Sequence, residues 1–220
     1  MPKSICKLLY LLILTIALAG CGEESISPPT QHQVKYDGTI LAIGDSLTEG
    51  LGVEAESAYP AQLQKKLMIG GYKYRVINGG VSGETSSGSL SRVDWVLTLE
   101  PDIVILETGG NDSLRAIDPD LTLQNLDDLV AAFKAKNVTV VLAGMETMQN
   151  LGSEYTADFA AVYPTIAEKH DLILIPFFLE GVAAQRELNQ PDGIHPTTEG
   201  YTIIVDQIYP YVVKAIEENR

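Results

Sequence analysis

Cysteine is scarce in this sequence of 220 residues, and it is confined to one end. The two cysteines, Cys6 and Cys21, both precede residue 22. A disulfide framework, a thiolate metal site and a cysteine nucleophile are therefore excluded from residues 22–220. Nucleophilic chemistry in that part of the chain has to come from another residue type.

Basic residues are also few relative to acidic residues. The sequence has 15 lysine and arginine residues against 29 aspartate and glutamate residues, which gives a formal net charge of −14. Nucleic acids are polyanions that bind basic surfaces, so the composition argues against a nucleic-acid partner. We interpret the acidic excess as the solvated surface of an exported protein.

The hydrophobic run at the N-terminus is too short for an ordinary transmembrane helix. It extends from Leu8 to Ala19, which is less than the ~20 residues that span a bilayer. Lys3 and Lys7 precede it, and small residues end it. This pattern is typical of a cleaved export signal and predicts a signal peptide over residues 1–20. A retained transmembrane helix is the weaker interpretation.

The signal ends in four residues that resemble a lipoprotein processing site. Leu18-Ala19-Gly20-Cys21 is similar to the lipobox of bacterial lipoproteins, in which the cysteine is lipidated and becomes the mature N-terminus. The resemblance implies a lipid on Cys21 that holds the protein at a membrane, with its domain facing the periplasm or the exterior. Residues 21–37 contain Pro28-Pro29 and no apolar period, which predicts a flexible tether before a domain over residues 38–220.

After residue 38, short runs rich in β-branched residues alternate with longer segments of helical period. Several runs are apolar on both faces, as expected for parallel strands covered by helices on both sides. The predicted strands cover Thr39–Ile43, Tyr74–Ile77, Ile103–Glu107, Val138–Ala143 and Leu172–Pro176. The predicted helices cover Ser57–Gly70, Leu90–Leu99, Leu121–Lys136, Tyr155–Lys169 and Thr197–Glu218. Pro164 and Pro210 are expected to kink the last two helices. The pattern predicts an α/β fold, a doubly wound five-stranded parallel sheet with helices on both faces.

Four polar elements follow predicted strands or precede the last helix. They are Ser46 in GDSL, Gly83 in NGGVSGET, Asn111 in ETGGND, and Asp192 with His195 in DGIHP. Each alone is compatible with an ordinary turn, but a doubly wound sheet brings the strand ends to one rim. Asp192 could accept the Nδ1–H of His195 while Nε2 faces Ser46 as a general base. The chain order Ser, Asp, His thus predicts a catalytic triad at that rim.

Motifs of two other classes of site are missing. No G-x-x-x-x-G-K-[ST] or G-x-G-x-x-G follows a predicted strand, and the glycine cluster at 79–83 has no phosphate-binding lysine. An α/β-hydrolase requires G-x-S-x-G around its nucleophile. Thr48, two residues after Ser46, occupies the position of the second glycine of that motif. The sequence therefore disfavours a nucleotide site and the α/β-hydrolase family.

Together the four polar elements resemble the GDSL or SGNH hydrolases, a family named for Ser, Gly, Asn and His in four sequence blocks. The stretches LAIGDSLTEG, GGNDSLR, FAAVYP and IPFFLEGV are similar to the bacterial thioesterase I, lysophospholipase and arylesterase group. The resemblance implies the flavodoxin-like SGNH hydrolase fold, with Ser46 as nucleophile, His195 as base and Asp192 as the residue that orients the base. It also implies an oxyanion hole made by the backbone amides of Ser46 and Gly83 and the Asn111 side chain. No metal and no cofactor are required.

The predicted function is hydrolysis of carboxylic esters or thioesters through an acyl-enzyme, with aryl esters, acyl esters or lysophospholipids as substrates. Two alternatives stay open: a carbohydrate O-deacetylase with the same triad, and a surface lipoprotein that binds a ligand without turnover. The loop after the fourth strand departs from the family, since Met148-Gln149 stand where related sequences often have a proline. Asp45 and Glu49 are interpreted as surface residues, and His170 as a residue outside the site.

Overall fold

The structure, a computed structural model, describes residues 35–147 and 149–219. The predicted signal peptide, the lipidation site Cys21 and most of the predicted tether lie outside these residues, so those interpretations stay predictions. Met148 and the side chain of Gln149 also lie outside them. Within the described part, no helix is both long and apolar enough to cross a membrane.

Five strands form one parallel sheet. They are β1 (Gly38–Gly44), β2 (Tyr74–Gly80), β3 (Ile103–Glu107), β4 (Thr139–Ala143) and β5 (Ile173–Ile175). Their order across the sheet is β2-β1-β3-β4-β5, and each neighbouring pair is parallel. The chain starts near the middle and winds outward in both directions, so the predicted doubly wound fold is confirmed.

The second strand is longer than predicted. The prediction ended it at Ile77 because Asn78-Gly79-Gly80 is a typical turn sequence. In the structure β2 stays in register with β1 as far as the pair Gly44 and Gly80. Pairing with β1 holds these turn-forming residues in an extended conformation, which local sequence preference does not reveal.

The described helices connect the strands or follow the last of them. They are α1 (Ser46–Glu49), α2 (Tyr59–Ile69), α3 (Ser86–Ser91), α4 (Val93–Leu97), α5 (Gly110–Leu114), α6 (Pro119–Lys134), α7 (Ser153–His170) and α8 (Thr198–Glu218). The four longest agree with the predicted boundaries to within about two residues. Both α7 and α8 continue as helix through their internal prolines, Pro164 and Pro210.

The helix predicted over Leu90–Leu99 is wrong, because the chain forms two shorter helices, α3 and α4, in this region. The first starts earlier, since the Thr85 hydroxyl accepts a hydrogen bond from the Gly88 N–H (3.3 Å) and caps it. Arg92 separates the two helices, and its guanidinium donates to Glu84 and to the Gly79 carbonyl (2.8 Å). A serine-rich helix has no apolar period, so the pattern could not locate it.

Both faces of the sheet are covered. The β3 residues Ile103–Glu107 and the β1 residues Ile40–Ile43 are buried. Helix α2 packs with α8, while α6 packs with α3 and α7. Because all strands run in the same direction, the loops that follow them meet at one edge of the sheet, and this edge carries the predicted site residues.

Candidate active site

Ser46 lies where β1 has ended and α1 begins. Asp45 precedes it and caps this short helix, since its Oδ1 accepts a hydrogen bond from the Leu47 N–H (2.9 Å). A carboxylate at this position satisfies an amide for which the first turn of a helix has no partner. Ser46 is only 9% exposed, so little of the residue contacts bulk water.

The Ser46 hydroxyl, the His195 imidazole and the Asp192 carboxylate form a continuous hydrogen-bonded chain. Ser46 Oγ lies 2.9 Å from His195 Nε2, and His195 Nδ1 lies 2.7 Å from Asp192 Oδ2. A carboxylate only accepts hydrogen bonds, so the imidazole proton belongs on Nδ1 and Nε2 accepts from the serine hydroxyl. The fold thus brings the three residues of the predicted triad into contact.

Asp192 is fixed by three hydrogen bonds. Its Oδ1 accepts from the N–H groups of Ile194 (2.9 Å) and His195 (3.0 Å), and its Oδ2 accepts from the imidazole. The bond from the His195 side chain and the two backbone bonds lower the pKa of Asp192 to about 2. The carboxylate is therefore ionised at neutral pH and can act only as an acceptor toward the imidazole.

Gln190 holds the loop of Asp192 and His195 against the segment that carries the serine. Its Nε2 donates to the Leu51 carbonyl (2.7 Å), just after α1, and to the Pro196 carbonyl (3.0 Å). Its backbone N–H donates to the His195 carbonyl (2.7 Å). Sequence reasoning missed this residue, because a glutamine in a polar loop carries no signal that distinguishes it from a surface residue.

Asn111 lies in the first turn of α5 and bonds to the residue before the serine. Its Nδ2 donates to Asp45 Oδ2 (2.8 Å). An amide nitrogen carries two protons, so this bond leaves the second one for another acceptor. The interpretation of Asp45 as a surface residue is wrong, since it is 3% exposed and joins Asn111 to the Leu47 amide. Burial raises the pKa of Asp45, while the bonds from Leu47 and Asn111 act in the opposite direction.

Gly83 lies on the exposed loop between β2 and α3. Its φ of +77° is in the left-handed region that favours glycine. Its carbonyl accepts a hydrogen bond from Arg115 Nη2 (2.8 Å), and Arg115 directly follows α5. The backbone N–H groups of Gly83 and Ser46 donate to no described residue. Both amides are thus free to donate to a ligand at this edge of the sheet.

Glu49 and His170 lie outside the site, as interpreted from the sequence. Glu49 is exposed, and its carboxylate accepts a hydrogen bond from the Ser82 N–H (2.9 Å). His170 ends α7, and its Nε2 lies 2.6 Å from Asp127 Oδ1. The family departure at Met148-Gln149 falls outside the described side chains, so its effect on the site stays a prediction.

A buried acid next to the serine turn was not predicted. Glu107, the last residue of β3, has 0% exposure. Its Oε2 accepts from the Thr48 hydroxyl (2.8 Å) and the Asp45 N–H (3.3 Å). The sequence does contain a signal for it, because Glu107 is the acidic residue of the otherwise apolar strand IVILE. An acid at the end of a buried strand is expected to have a specific partner.

This arrangement contains the groups that acyl transfer needs. An imidazole that accepts from a serine hydroxyl can take its proton as the oxygen attacks an electrophile. Free backbone N–H groups and a side-chain amide at the same edge can donate to a developing oxyanion. Among the residues that the structure describes, no group of three or more His, Cys, Asp or Glu is arranged to hold a metal ion.

Comparison with known proteins identifies the family of this chain. The GDSL-like Lipase/Acylhydrolase family model matches residues 42–203, a range that contains every residue of the candidate site. This chain belongs to the GDSL-like lipase/acylhydrolase family. The resemblance stated from the sequence is thereby confirmed.

Three relatives of this GDSL-family protein have names that include esterase or thioesterase. Esterase TesA of Pseudomonas aeruginosa is 38% identical over 173 residues, which cover 78% of this chain and 86% of that protein. Thioesterase 1/protease 1/lysophospholipase L1 of Escherichia coli is 37% identical over 179 residues, which cover 79% and 85%. The psychrotrophic esterase EstA from Pseudoalteromonas sp., solved in a form inhibited by monoethylphosphonate, has a TM-score of 0.78 and 32% identity. That match covers 82% of this chain and 100% of EstA. The chain is an ester hydrolase of the GDSL type.

Proposed function

We propose that this GDSL-family protein is a serine esterase that hydrolyses esters or thioesters with apolar acyl or aryl groups through an acyl-enzyme. The observation that carries the proposal is the hydrogen-bonded chain from Ser46 Oγ through His195 to Asp192. Within this hydrogen-bonded series, Ser46 is the nucleophile, His195 is the general base, and Asp192 fixes the tautomer of His195.

In the first half-reaction Ser46 Oγ attacks the carbonyl carbon while His195 Nε2 takes the hydroxyl proton. The imidazolium that forms is stabilised by the ionised carboxylate of Asp192 at Nδ1. The tetrahedral intermediate then breaks the bond to the leaving group, and His195 gives its proton to the departing alcohol or thiol. The acyl group stays on Ser46.

In the second half-reaction water takes the place of the serine. His195 accepts a proton from the water as its oxygen attacks the acyl carbon, and the second tetrahedral intermediate forms. The bond to Ser46 Oγ breaks, and His195 returns the proton to the serine. The products are a carboxylic acid and the free enzyme.

The carbonyl oxygen becomes negative in both tetrahedral intermediates. We assign its donors to the backbone N–H groups of Ser46 and Gly83 and to the second Nδ2 proton of Asn111. The assignment is supported by the two N–H groups that donate to no described residue and by Asp45, which fixes the orientation of Asn111. Donors that are oriented before the reaction stabilise developing charge without reorganisation.

Exposed apolar side chains support an apolar substrate. Each lies within five residues of a site residue along the chain. They are Leu51, Val81, Leu114 and Ile194, with exposures of 45%, 46%, 48% and 45%. Exposed apolar side chains next to site residues along the chain favour an acyl or aryl group through the hydrophobic effect. The esterase and lysophospholipase names of the relatives agree with this substrate class.

Hydrolysis of p-nitrophenyl esters of graded acyl length, together with labelling by a fluorophosphonate, tests the proposal. Ser46→Ala should abolish turnover and labelling while the melting temperature is retained. Ser91→Ala changes an exposed serine at the end of α3 and should preserve both activities. Labelling that persists in Ser46→Ala would refute the assigned nucleophile. A wild-type protein that hydrolyses no ester would favour a ligand-binding role instead.

We further propose that the protein is exported and anchored to a membrane by a lipid on Cys21. The proposal is supported by Lys3 and Lys7 before a short apolar run that ends in Leu-Ala-Gly-Cys. Cys21→Ser should release the protein from the membrane fraction or leave the signal uncleaved, whereas Cys6→Ser is the matched control and should change neither. Wild-type protein recovered entirely in the soluble fraction would contradict lipidation.

A further inference from the structure

Glu107 is a fully buried acid that the mechanism above does not use. The side chains of Thr48, Tyr59 and Tyr201 interact with it and are also fully buried. Burying an acid is unfavourable unless hydrogen bonds or neutralisation compensate for the loss of water. The position of Glu107 at the end of a central strand therefore calls for a specific role.

A single oxygen atom of Glu107 bonds on both sides of the nucleophile. Oε2 accepts from the Asp45 N–H (3.3 Å), immediately before Ser46, and from the Thr48 hydroxyl (2.8 Å), shortly after it. The segment that contains Ser46 is thus tied at both ends to β3. A Cβ on Gly44 would collide with the Glu107 carboxyl group, so glycine at that position leaves the space that Glu107 occupies.

The surroundings of Glu107 favour its uncharged form. Five acidic groups from neighbouring elements interact with Glu107, namely Asp45, Glu84 (itself paired with Arg92 at 2.6 Å), Tyr59, Tyr163 and Tyr201. Its Oε1 has no hydrogen-bond partner among the described residues. Complete burial raises the pKa of Glu107 well above its ordinary range, and the charge of Asp45 adds to this effect. A neutral carboxyl group needs no counter-ion at such a site.

We propose that Glu107 is a positioning residue, an uncharged carboxylic acid that holds Asp45 and Thr48 and thereby places Ser46 Oγ for attack. The inference rests on the proposed function, since it assumes that Ser46 is the nucleophile. Neutrality has a second consequence, because an ionised Glu107 would repel the Asp45 carboxylate that holds Asn111. The uncharged form of Glu107 thus helps to position both the nucleophile Ser46 and the assigned oxyanion donor Asn111.

Two substitutions at Glu107 separate hydrogen bonding from charge. Glu107→Gln keeps an acceptor oxygen and is uncharged at every pH, so kcat should stay within about threefold of wild type, with an unshifted pH profile of kcat/KM. Glu107→Leu fills the space but accepts no hydrogen bond. Its kcat should fall about 10- to 100-fold with KM nearly unchanged, because a misplacement of about 1 Å is enough for such a loss. The rate of fluorophosphonate labelling should fall by the same factor in protein that a melting curve shows to be folded at the assay temperature.

Two further variants control for repacking. Tyr201→Phe removes, from the same buried cluster, a hydroxyl that has no described hydrogen-bond partner, so kcat should not change. Thr48→Val removes one of the two bonds to Glu107 and should give a smaller loss of the same kind. Because valine has nearly the shape of threonine, the packing around it is conserved.

Each result either supports or overturns the inference. Full kcat in Glu107→Leu overturns the positioning role. An equal loss of kcat in Glu107→Gln and Glu107→Leu overturns the inference that Glu107 is uncharged. An equal loss of kcat in Tyr201→Phe overturns the positioning role, because it shows that any change in the cluster slows the enzyme. If Glu107→Leu does not fold, full kcat and labelling in Thr48→Val overturn the inference. Failure of the proposed function is distinguishable, because the wild-type protein itself would then show neither turnover nor labelling.

Discussion

Asp192→Asn tests the hydrogen-bonded chain of the site most directly. In the wild-type protein Asp192 Oδ1 accepts from the Ile194 and His195 N–H groups (2.9 and 3.0 Å), and Oδ2 faces His195 Nδ1 at 2.7 Å. Asparagine has one accepting oxygen and one donating nitrogen. Since two backbone N–H groups require the oxygen, the nitrogen of Asn has to face the imidazole.

This orientation reverses the tautomer of His195. A donor opposite Nδ1 turns Nδ1 into an acceptor and moves the ring proton to Nε2, which lies 2.9 Å from Ser46 Oγ. Nε2 then cannot take the serine proton. A wrong tautomer of this kind lowers kcat about 10⁴-fold in a serine protease, so we expect a loss of about 10³- to 10⁴-fold here. This loss corresponds to roughly 4 to 5.5 kcal/mol of transition-state stabilisation.

Steady-state hydrolysis of an aryl ester, together with a melting curve, measures the effect. Asp192→Ala removes the acceptor without adding a donor, so its kcat should fall less than that of Asp192→Asn. Asp127→Asn alters an Asp–His pair of similar length (2.6 Å to His170) outside the site and should leave kcat unchanged. A kcat above one tenth of the wild-type value in Asp192→Asn would show that the tautomer argument is wrong.

Three further predictions concern the assigned donor, the apolar side chains and acid stability. Asn111→Ala should lower kcat about 100- to 1000-fold with KM nearly unchanged. A lower melting temperature with unchanged kcat would show that Asn111 has only a structural role. Ile194→Asn should raise KM several-fold for long acyl esters. The control is Ile69→Asn, which changes a residue at the end of α2, at the opposite edge of the sheet, and should leave KM unchanged. Equal KM changes would contradict the assigned substrate surface. Because the pKa of Asp192 is lowered from 3.8 to about 2 in the folded protein, its charge stabilises the fold above about pH 4. That contribution is lost as the pH falls toward 2. Asp192→Ala should therefore weaken the pH dependence of the melting temperature in this range. An unaltered pH dependence in the variant would contradict the stabilising role of the Asp192 charge.

The sequence predicts the parts of the fold that depend on burial. The runs of β1 and β3 are apolar on both faces, and the long helices have a clear apolar period, so hydrophobic pattern alone locates them. Contact among Ser46, Asp192 and His195 also follows from the sequence, because the predicted topology brings their loops to one edge. The same reasoning fails for α3 and the end of β2, where a cap and strand pairing override the local pattern.

The contacts of the buried polar residues near the serine could not be predicted from local sequence. Asp45 follows a strand and precedes a serine, which is compatible with an exposed turn, and only the bond from Asn111 shows why it is buried. Glu107 is the acidic residue of an otherwise apolar strand, which indicates a buried acid but does not identify its partners. Its partners Asp45 and Thr48 are distant along the chain, so no pattern within one segment links them. Polar contacts between loops are set by tertiary structure, whereas apolar periodicity is set within each element.

The four residues of the GDSL motif meet four separate physical requirements. Gly44 is glycine because a Cβ would collide with the carboxyl group of Glu107. Asp45 accepts from the Leu47 N–H and from the side-chain amide at the start of α5, which ties two loops together. Ser46 keeps its hydroxyl at 2.9 Å from the imidazole, and Leu47 is buried in the core and anchors the turn. Three of the four residues thus depend on groups far along the chain, so a GDSL string without a buried acceptor and a facing amide would not fix its serine in this geometry.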